Sequence, residues 1–529
     1  MTRATSRQVL ALVACAIHFS SATAQPEDCV ERASPNSVVD NPPELVASAG
    51  SLKVALTMRS QEMMEFPLKV CLLGAANGKI VEAPTLRLDP ADELDLSLTN
   101  RLTYVASSEQ TTATSLAPHD PCTGGATATT STNIDFDGLE IPTTCHQGES
   151  STTTIENSDP AFHYRFRIPA KHPPGLYWYH PHRLGSATLQ LDGGASGVLI
   201  VGGMEKAHPE VAGLPERILV FRQRLDEDES DTWPPEDYRY SLNFQTISPA
   251  EEQWPVIQMK PGVKEFWRVA NASAQGFLAL QIDYEGIAQP VNLVALDGVP
   301  VRTSRSLETI ELPPGGRAEF IVNGPALGQK ARLIQARFDT GPTGIDNAPR
   351  QLAQIVAAPS AREPQALATT GGRGRVFRTT RTMPDNRFVT KVRRMYLAEA
   401  TNGTMGPARF FLTLEGRRPA AFDPHEPPAV TIHVGAVEDW VIANHSGDIH
   451  AFHVLHRHFF LLQGNGEKPA EPELRDTVTV PAWDGVGPYP EVRIRLDFRV
   501  PGSAGVFEFQ DQISNLAEAG MMARFRVMP

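Results

Sequence analysis

Lys260-Pro261-Gly262 leads into Trp267-Arg268-Val269-Ala270-Asn271, and Val434-Gly435-Ala436 leads into Trp440-Val441-Ile442-Ala443-Asn444. Each block is a turn followed by an apolar, tryptophan-bearing run that ends on asparagine. Asp89-Pro90-Ala91-Asp92 through Leu98-Thr99-Asn100 repeats the grammar without the tryptophan. Short runs bounded by turn residues read as strands. The blocks stand roughly 170 residues apart, which indicates a domain present three times rather than a short-period solenoid. The 44 prolines and 40 glycines support frequent turns and hence β-sandwiches. A chain of 529 residues is also too long for one core. Boundaries fall near 205 and 365, giving domains at 25–205, 206–365 and 366–529. Ala358 to Gly374, rich in Pro and Gly, reads as the linker into the last.

Arg3 and Arg7, the apolar run Val9 to Ile17 and Ala22-Thr23-Ala24 predict a signal peptide over residues 1–24 and an exported, periplasmic or secreted protein. Leu12-Val13-Ala14-Cys15 offers the alternative of a lipid anchor at Cys15. No later segment has the apolar length of a transmembrane helix. Without residues 1–24 the chain carries 46 Lys+Arg against 61 Asp+Glu, a net charge of -15, which argues against nucleic acid as a partner. Cys29, Cys71, Cys122 and Cys145 predict two disulfides, with three pairings open.

The segment Gly175-Leu176-Tyr177-Trp178-Tyr179-His180-Pro181-His182, followed by Gln190 and Gly197-Val198-Leu199-Ile200, resembles the second His-x-His motif of the bacterial multicopper oxidases. Similarity continues through Ser241-Leu242-Asn243-Phe244-Gln245, Val294-Ala295-Leu296-Asp297-Gly298 and Pro314-Gly315-Gly316-Arg317. It extends to His450-Ala451-Phe452-His453, Asp476-Thr477-Val478 and Gly520-Met521-Met522. The resemblance implies an all-β chain of three cupredoxin-like Greek-key β-sandwich domains. It also implies a chemistry in which a type 1 copper, held by a thiolate and two imidazoles, feeds electrons to a trinuclear copper cluster of eight histidines.

Compared with the family's motifs, Thr132-Asn133-Ile134-Asp135-Phe136-Asp137-Gly138 carries Asp135 and Asp137 where a first His-x-His pair is expected. His180 and His182 match the second pair. His450 matches the type 1 position and His453 a cluster position, whereas Leu455 stands where another histidine is expected. His456 comes one residue late, and on a strand it would face the wrong way unless a bulge re-aims it. The last motif reads Gln510-Asp511-Gln512 with Leu516, and no cysteine follows Cys145. Oxidation through type 1 copper is therefore not expected.

Two readings follow. In one the protein is a pseudo-oxidase that acts by binding a periplasmic protein or a small molecule, like the copper-free family homologue of the bacterial division apparatus. Its buried carboxylates would then pair with imidazoles. In the other, His180, His182, His453, Asp135, Asp137 and His450 supply a site for one metal ion, whether copper, zinc, iron or manganese. Oxygen ligands favour harder ions, and such a site would suit hydrolytic, lyase or oxidative chemistry, including a noncanonical metal-dependent oxidoreductase. Neither reading includes the full four-copper complement. Asp135, Asp137, His180, His182, His453, Gln510 and Gln512 are expected to meet between the first and third domains. His456 and His458 read as packing or surface residues. Asn271, Asn402 and Asn444 open glycosylation sequons, a pattern common by chance.

Overall fold

The computed structural model describes residues 28–61, 69–103, 120–124, 127–225, 238–367, 381–400, 409–464, 466, 468–500 and 502–529. The leader with Cys15, the glycine-rich end of the linker and Asn402 lie outside them. The described chain is almost entirely β, with each domain built from two packed sheets of five and five, seven and six, and six and five strands. One parallel pairing recurs in all three. The opening strand runs beside the asparagine-ended strand: Ser51–Gln61 with Glu93–Arg101, Glu216–Leu225 with Lys264–Asn271, and Lys391–Ala400 with Val437–Asn444. The short strand between them crosses to the other sheet and lies parallel to the domain's last strand: Thr85–Leu88 with Gly197–Val201, Val256–Met259 with Arg350–Ala357, and Val430–His433 with Met522–Met528. Parallel neighbours need crossover connections, so each unit is a Greek-key sandwich of the cupredoxin type rather than a run of hairpins.

The terminal asparagine of each block has a physical task. Asn100, Asn271 and Asn444 are buried. Each accepts from the backbone N–H two residues on, at Leu102, Ser273 and Ser446. Each amide then donates to carbonyls of another loop: Thr130 and Ile155, Leu312 and Pro313, or Pro481. The side chain thus ends the strand while satisfying buried backbone groups. Asn271 and Asn444 are sequestered in this way and are not glycan acceptors. Trp267 and Trp440 each donate to the glutamate two residues earlier, Glu265 at 2.9 Å and Glu438 at 3.0 Å.

Disulfides join Cys29 to Cys71 and Cys122 to Cys145. Cys29 and Arg32 hold the N-terminal stretch to the first domain, while the segment around Val39 and Asn41 packs on the second. Val39 is part of that domain's core, and Asn41 bonds the backbone of Glu216 and Ile218. The first two domains share an apolar seam in which Leu176, Trp178, Val198 and Ile200 meet Ile218, Val220 and Ala270. The second and third are clamped by Arg317, whose guanidinium binds Asp476 with both nitrogens. None of the described helices is long and apolar enough to cross a membrane.

Candidate metal centre

Two strand pairs from different domains build the site. In the first domain Asp135–Asp137 runs antiparallel to Gly175–His180, with Asp135 opposite His180 and Asp137 opposite Trp178. Side chains alternate along a strand, so Asp135 and Asp137 share one face while Phe136 enters the hydrophobic core. In the third domain His450–Val454 pairs with Gly505–Asp511, placing His453 opposite Gln510. The same alternation turns Gln510 and Gln512 toward the first domain and Asp511 away from it.

The carboxylates of the first domain meet imidazoles of their own domain and, across this seam, of the third. Asp137 places one oxygen 3.2 Å from His180 Nε2 and the other 3.5 Å from His453 Nε2. Gln512 donates to the first of these oxygens at 2.7 Å and receives a bond from Gln510, whose carbonyl faces His182 Nε2 at 3.1 Å. Asp135, Asp137 and His180 each offer a ligand atom within 4.8 Å of the others, and all three are buried. The seven residues expected to meet do so.

His450, grouped with them from the sequence, is placed elsewhere. Three residues from His453, it points to the opposite face of its strand. There its Nδ1 lies 2.5 Å from Asp511 and its Nε2 2.7 Å from the Ser446 hydroxyl. His456 moves the other way. Read from sequence as packing or surface, it is buried, and its Nε2 lies 3.1 Å from Asp135. The strand ends at Val454, and His456 takes a left-handed backbone with φ 55°, which re-aims the ring. The only signal in the sequence was a histidine displaced by one position. His458 is buried as well, paired with Glu140, which also binds Arg381.

Each facing imidazole is held from behind. Nδ1 of His180 meets the Pro181 carbonyl at 2.8 Å, that of His456 the Leu139 carbonyl at 2.9 Å, and that of His453 the Thr477 hydroxyl at 2.9 Å. Thr477 donates onward to Asp476, the partner of Arg317. Because carbonyls only accept, Nδ1 of His180 and His456 carries the proton and Nε2 is turned to the carboxylates. Both oxygens of Asp135, one of Asp137, and Nε2 of His453 and His456 nevertheless make no aligned hydrogen bond. Such a concentration of unsatisfied buried atoms calls for an occupant or for charge pairing.

Burial pushes Asp137 upward, but His453 and His180 outweigh it and hold the carboxyl well below the usual range. Burial opposes charge on His456 too, yet Asp135 raises it to about 9. Burial lowers His182, which has the weaker carboxylate contacts. A cavity of about 20 Å³ reaches the cluster past Trp178, His182 and Gln512, room for roughly one water. Cys122, Cys145 and His146 also lie within ligand distance of one another, but the two cysteines form a disulfide.

A family model for multicopper oxidases matches residues 390–529. No curated protein matches the chain. Among solved structures, the McoA multicopper oxidase of Aquifex aeolicus superposes with a TM-score of 0.68 at 16% identity, covering 93% of this chain and 99% of its own. The multicopper oxidase of Campylobacter jejuni, described as a metallo-oxidase, gives 0.67 at 20% identity over 94% and 96%. The laccase-like CueO of an Ochrobactrum species gives 0.63 at 18% identity over 92% and 100%. At these identities the likeness speaks for the fold. The last domain thus matches the multicopper oxidase family model, and the chain as a whole has the three-domain fold of solved multicopper oxidases.

Proposed function

We propose that this exported family member is not a laccase-type oxidase, and that it binds a single metal ion between its first and third domains. The carrying observation is the set of imidazole Nε2 atoms aimed at two buried carboxylates, each ring held at Nδ1 by an acceptor behind it. Holding the far nitrogen is how proteins orient metal-binding histidines. With metal–ligand bonds of about 2.0–2.2 Å, two ligands on one ion sit about 3.0–3.5 Å apart. The nitrogen–oxygen distances of 3.1, 3.2 and 3.5 Å fall in that window. Asp135, Asp137 and His180 would hold the ion, with His453 and His456 beside them. The mixed nitrogen and oxygen donors suit zinc, iron or manganese at least as well as copper. Once bound, the ion would supply a Lewis acid or a redox centre. The surrounding residues exclude bulk water, fix the ring tautomers and balance the carboxylate charge.

A type 1 copper does not fit the opposite face. The residue facing His450 is Asp511, whose oxygens are engaged by His450 and by the backbone N–H groups of Ala451 and Ile513. No cysteine follows Cys145.

A second reading, the pseudo-oxidase, is favoured by the bond from Gln512 to Asp137 and by the ion pairs, which neutralise the cluster without a metal. Elemental analysis of protein purified from its native compartment separates the two. About one zinc, iron or manganese per chain, lost on His180→Ala and Asp137→Ala, is the expected result. Metal-free protein that co-purifies with a periplasmic partner would overturn the metal proposal in favour of the pseudo-oxidase. An intense thiolate-to-copper absorption band after copper loading would defeat both readings.

A further inference from the structure

On the other face of the same strand, Asp511, His450 and Ser446 form a continuous hydrogen-bonded chain. An Asp511 oxygen lies 2.5 Å from His450 Nδ1, and His450 Nε2 lies 2.7 Å from Ser446 Oγ. Carboxylate on one ring nitrogen and hydroxyl on the other is the order of groups that activates a serine for acyl transfer. The carboxylate fixes the Nδ1–H tautomer, leaving Nε2 as an acceptor for the hydroxyl, whose proton is shared with Asn444 Oδ1 at 2.8 Å and the Asp448 carbonyl at 3.1 Å. Two further features hold that tautomer. The second Asp511 oxygen accepts from the backbone N–H groups of Ala451 and Ile513, so the carboxylate cannot swing away. Exposure also grades outward, from 0% at Asp511 through 2% at His450 to 8% at Ser446, putting the hydroxyl at the outer end.

The surroundings are those of a reaction site rather than of a plain packing contact. Ser446 sits on a bend between the strands Val437–Asn444 and His450–Val454, directly before Gly447. Among the described residues, the backbone N–H groups of Gly447 and Asp448 donate no hydrogen bond, so they are free to face a developing oxyanion. Beside the bend lies a cavity of about 120 Å³ whose lining includes Phe277, Thr343, Gly344, Asp448, Ile449 and Leu516. On the other side His445 is stacked between Tyr396 and Tyr489, with ring centroids 4.5 and 3.7 Å away. Trp483 packs on Tyr489 and donates its backbone N–H to the Ser446 carbonyl. An aromatic platform therefore flanks the main chain at Ser446.

We propose that Ser446, His450 and Asp511 constitute a second reaction site, which hydrolyses carboxylic esters bearing an aromatic ring. Ser446 Oγ attacks the ester carbonyl carbon while His450 Nε2 takes the hydroxyl proton. The C–O bond to the alcohol breaks, and the alcohol leaves with that proton. Water, deprotonated by His450, then attacks the acyl-serine and releases the carboxylic acid, so no oxidant or reductant is consumed. The aromatic platform holds the ring and the small cavity takes the acyl chain. This site is independent of the metal cluster, which lies on the opposite face.

The test uses the full-length mature protein, a fluorophosphonate probe and p-nitrophenyl acetate. The expected result is covalent labelling mapped to Ser446, with ester hydrolysis that falls at least about 100-fold in Ser446→Ala and in Asp511→Asn. Hydrolysis should persist after chelation. Asp511 is buried, so its variant counts only if its circular dichroism matches the parent. Ser446→Ala removes one hydroxyl and supplies the decisive comparison. Absence of labelling, labelling at another serine, or undiminished hydrolysis in Ser446→Ala would each overturn the proposal. The chain of bonds would then be a structural filling of the space between His450 and Asp511.

Discussion

His456 Nε2 lies 3.1 Å from Asp135 Oδ1, so a turn of the third domain meets a strand of the first through a buried imidazole and a buried carboxylate. Asp135 raises His456 to about 9, so in metal-free protein the contact is an ion pair at neutral pH. Removing one partner strands the other charge away from water, which typically costs about 3–5 kcal/mol. His456→Ala should therefore destabilise metal-free protein by that amount, and Asp135→Asn in the same chain should recover most of it. Urea unfolding of the two single variants and the double variant measures the coupling. Additive losses would mean the two groups do not interact.

Glu508 gives a pH dependence of opposite sign to that of the paired carboxylates. It is buried, and burial outweighs a contact from Ser151 to raise its carboxyl to about 7. The folded protein binds this proton more tightly than the unfolded chain. The contribution is fully present below the ordinary value of 4.5 and is lost as pH rises through about 7. Glu508→Gln should thus leave stability unchanged near pH 4 and raise it by about 3 kcal/mol at pH 8. Thermal unfolding at the two pH values tests this, and an equal gain at both would contradict the assignment.

The clamp of Arg317 and Asp476 links the second domain to the third and, through Thr477, to Nδ1 of His453. Asp476→Asn should destabilise the protein by about 3 kcal/mol or more, because the buried guanidinium loses its counter-charge. It should also weaken metal binding by about 10–100-fold, as changes behind a metal ligand do. Unfolding and metal titration read the two effects separately. Thr477→Ala should reproduce the second with little of the first.

The bond between Cys29 and Cys71 closes a loop with a sequence separation of 42. Loop entropy puts its contribution at about 4 kcal/mol. The double change Cys29→Ser, Cys71→Ser should lower the urea midpoint accordingly and abolish any further effect of reductant on this bond.

Gly175 and Gly298 pack backbone to backbone between the first two domains, and a Cβ on Gly175 would fall 2.2 Å from the Gly298 carbonyl oxygen. Gly175→Ala must push the domains apart and should cost about 1–3 kcal/mol, the usual range for overpacking. A midpoint unchanged from the parent in chemical unfolding would show that the seam yields.

Much of the architecture was legible because its devices are local. A turn, an apolar run and a terminal asparagine need only neighbouring residues, so Asn100, Asn271 and Asn444 announced three equivalent strand ends. Strand alternation alone placed Asp135 and Asp137 on one face and separated Gln510 and Gln512 from Asp511. What local pattern does not encode is the direction of a residue beyond the end of a strand. His456 looked misplaced because its ring is aimed by a single left-handed residue, whose conformation depends on what the turn packs against.

By itself the sequence determined the repeat, the family resemblance, the absence of any cysteine after Cys145 and most, though not all, of the residues that meet at the cluster. Tertiary structure alone decided how they are divided. Pairing within the first domain brings Asp137 to His180, contacts between domains bring Asp135 to His456 and Asp137 to His453, and His450 is left on the far face with Asp511 and Ser446. The physical reason is that a buried charge is tolerable only beside a partner. Which partner lies within hydrogen-bonding distance is settled when two sheets pack, because that packing joins residues hundreds of positions apart in the chain.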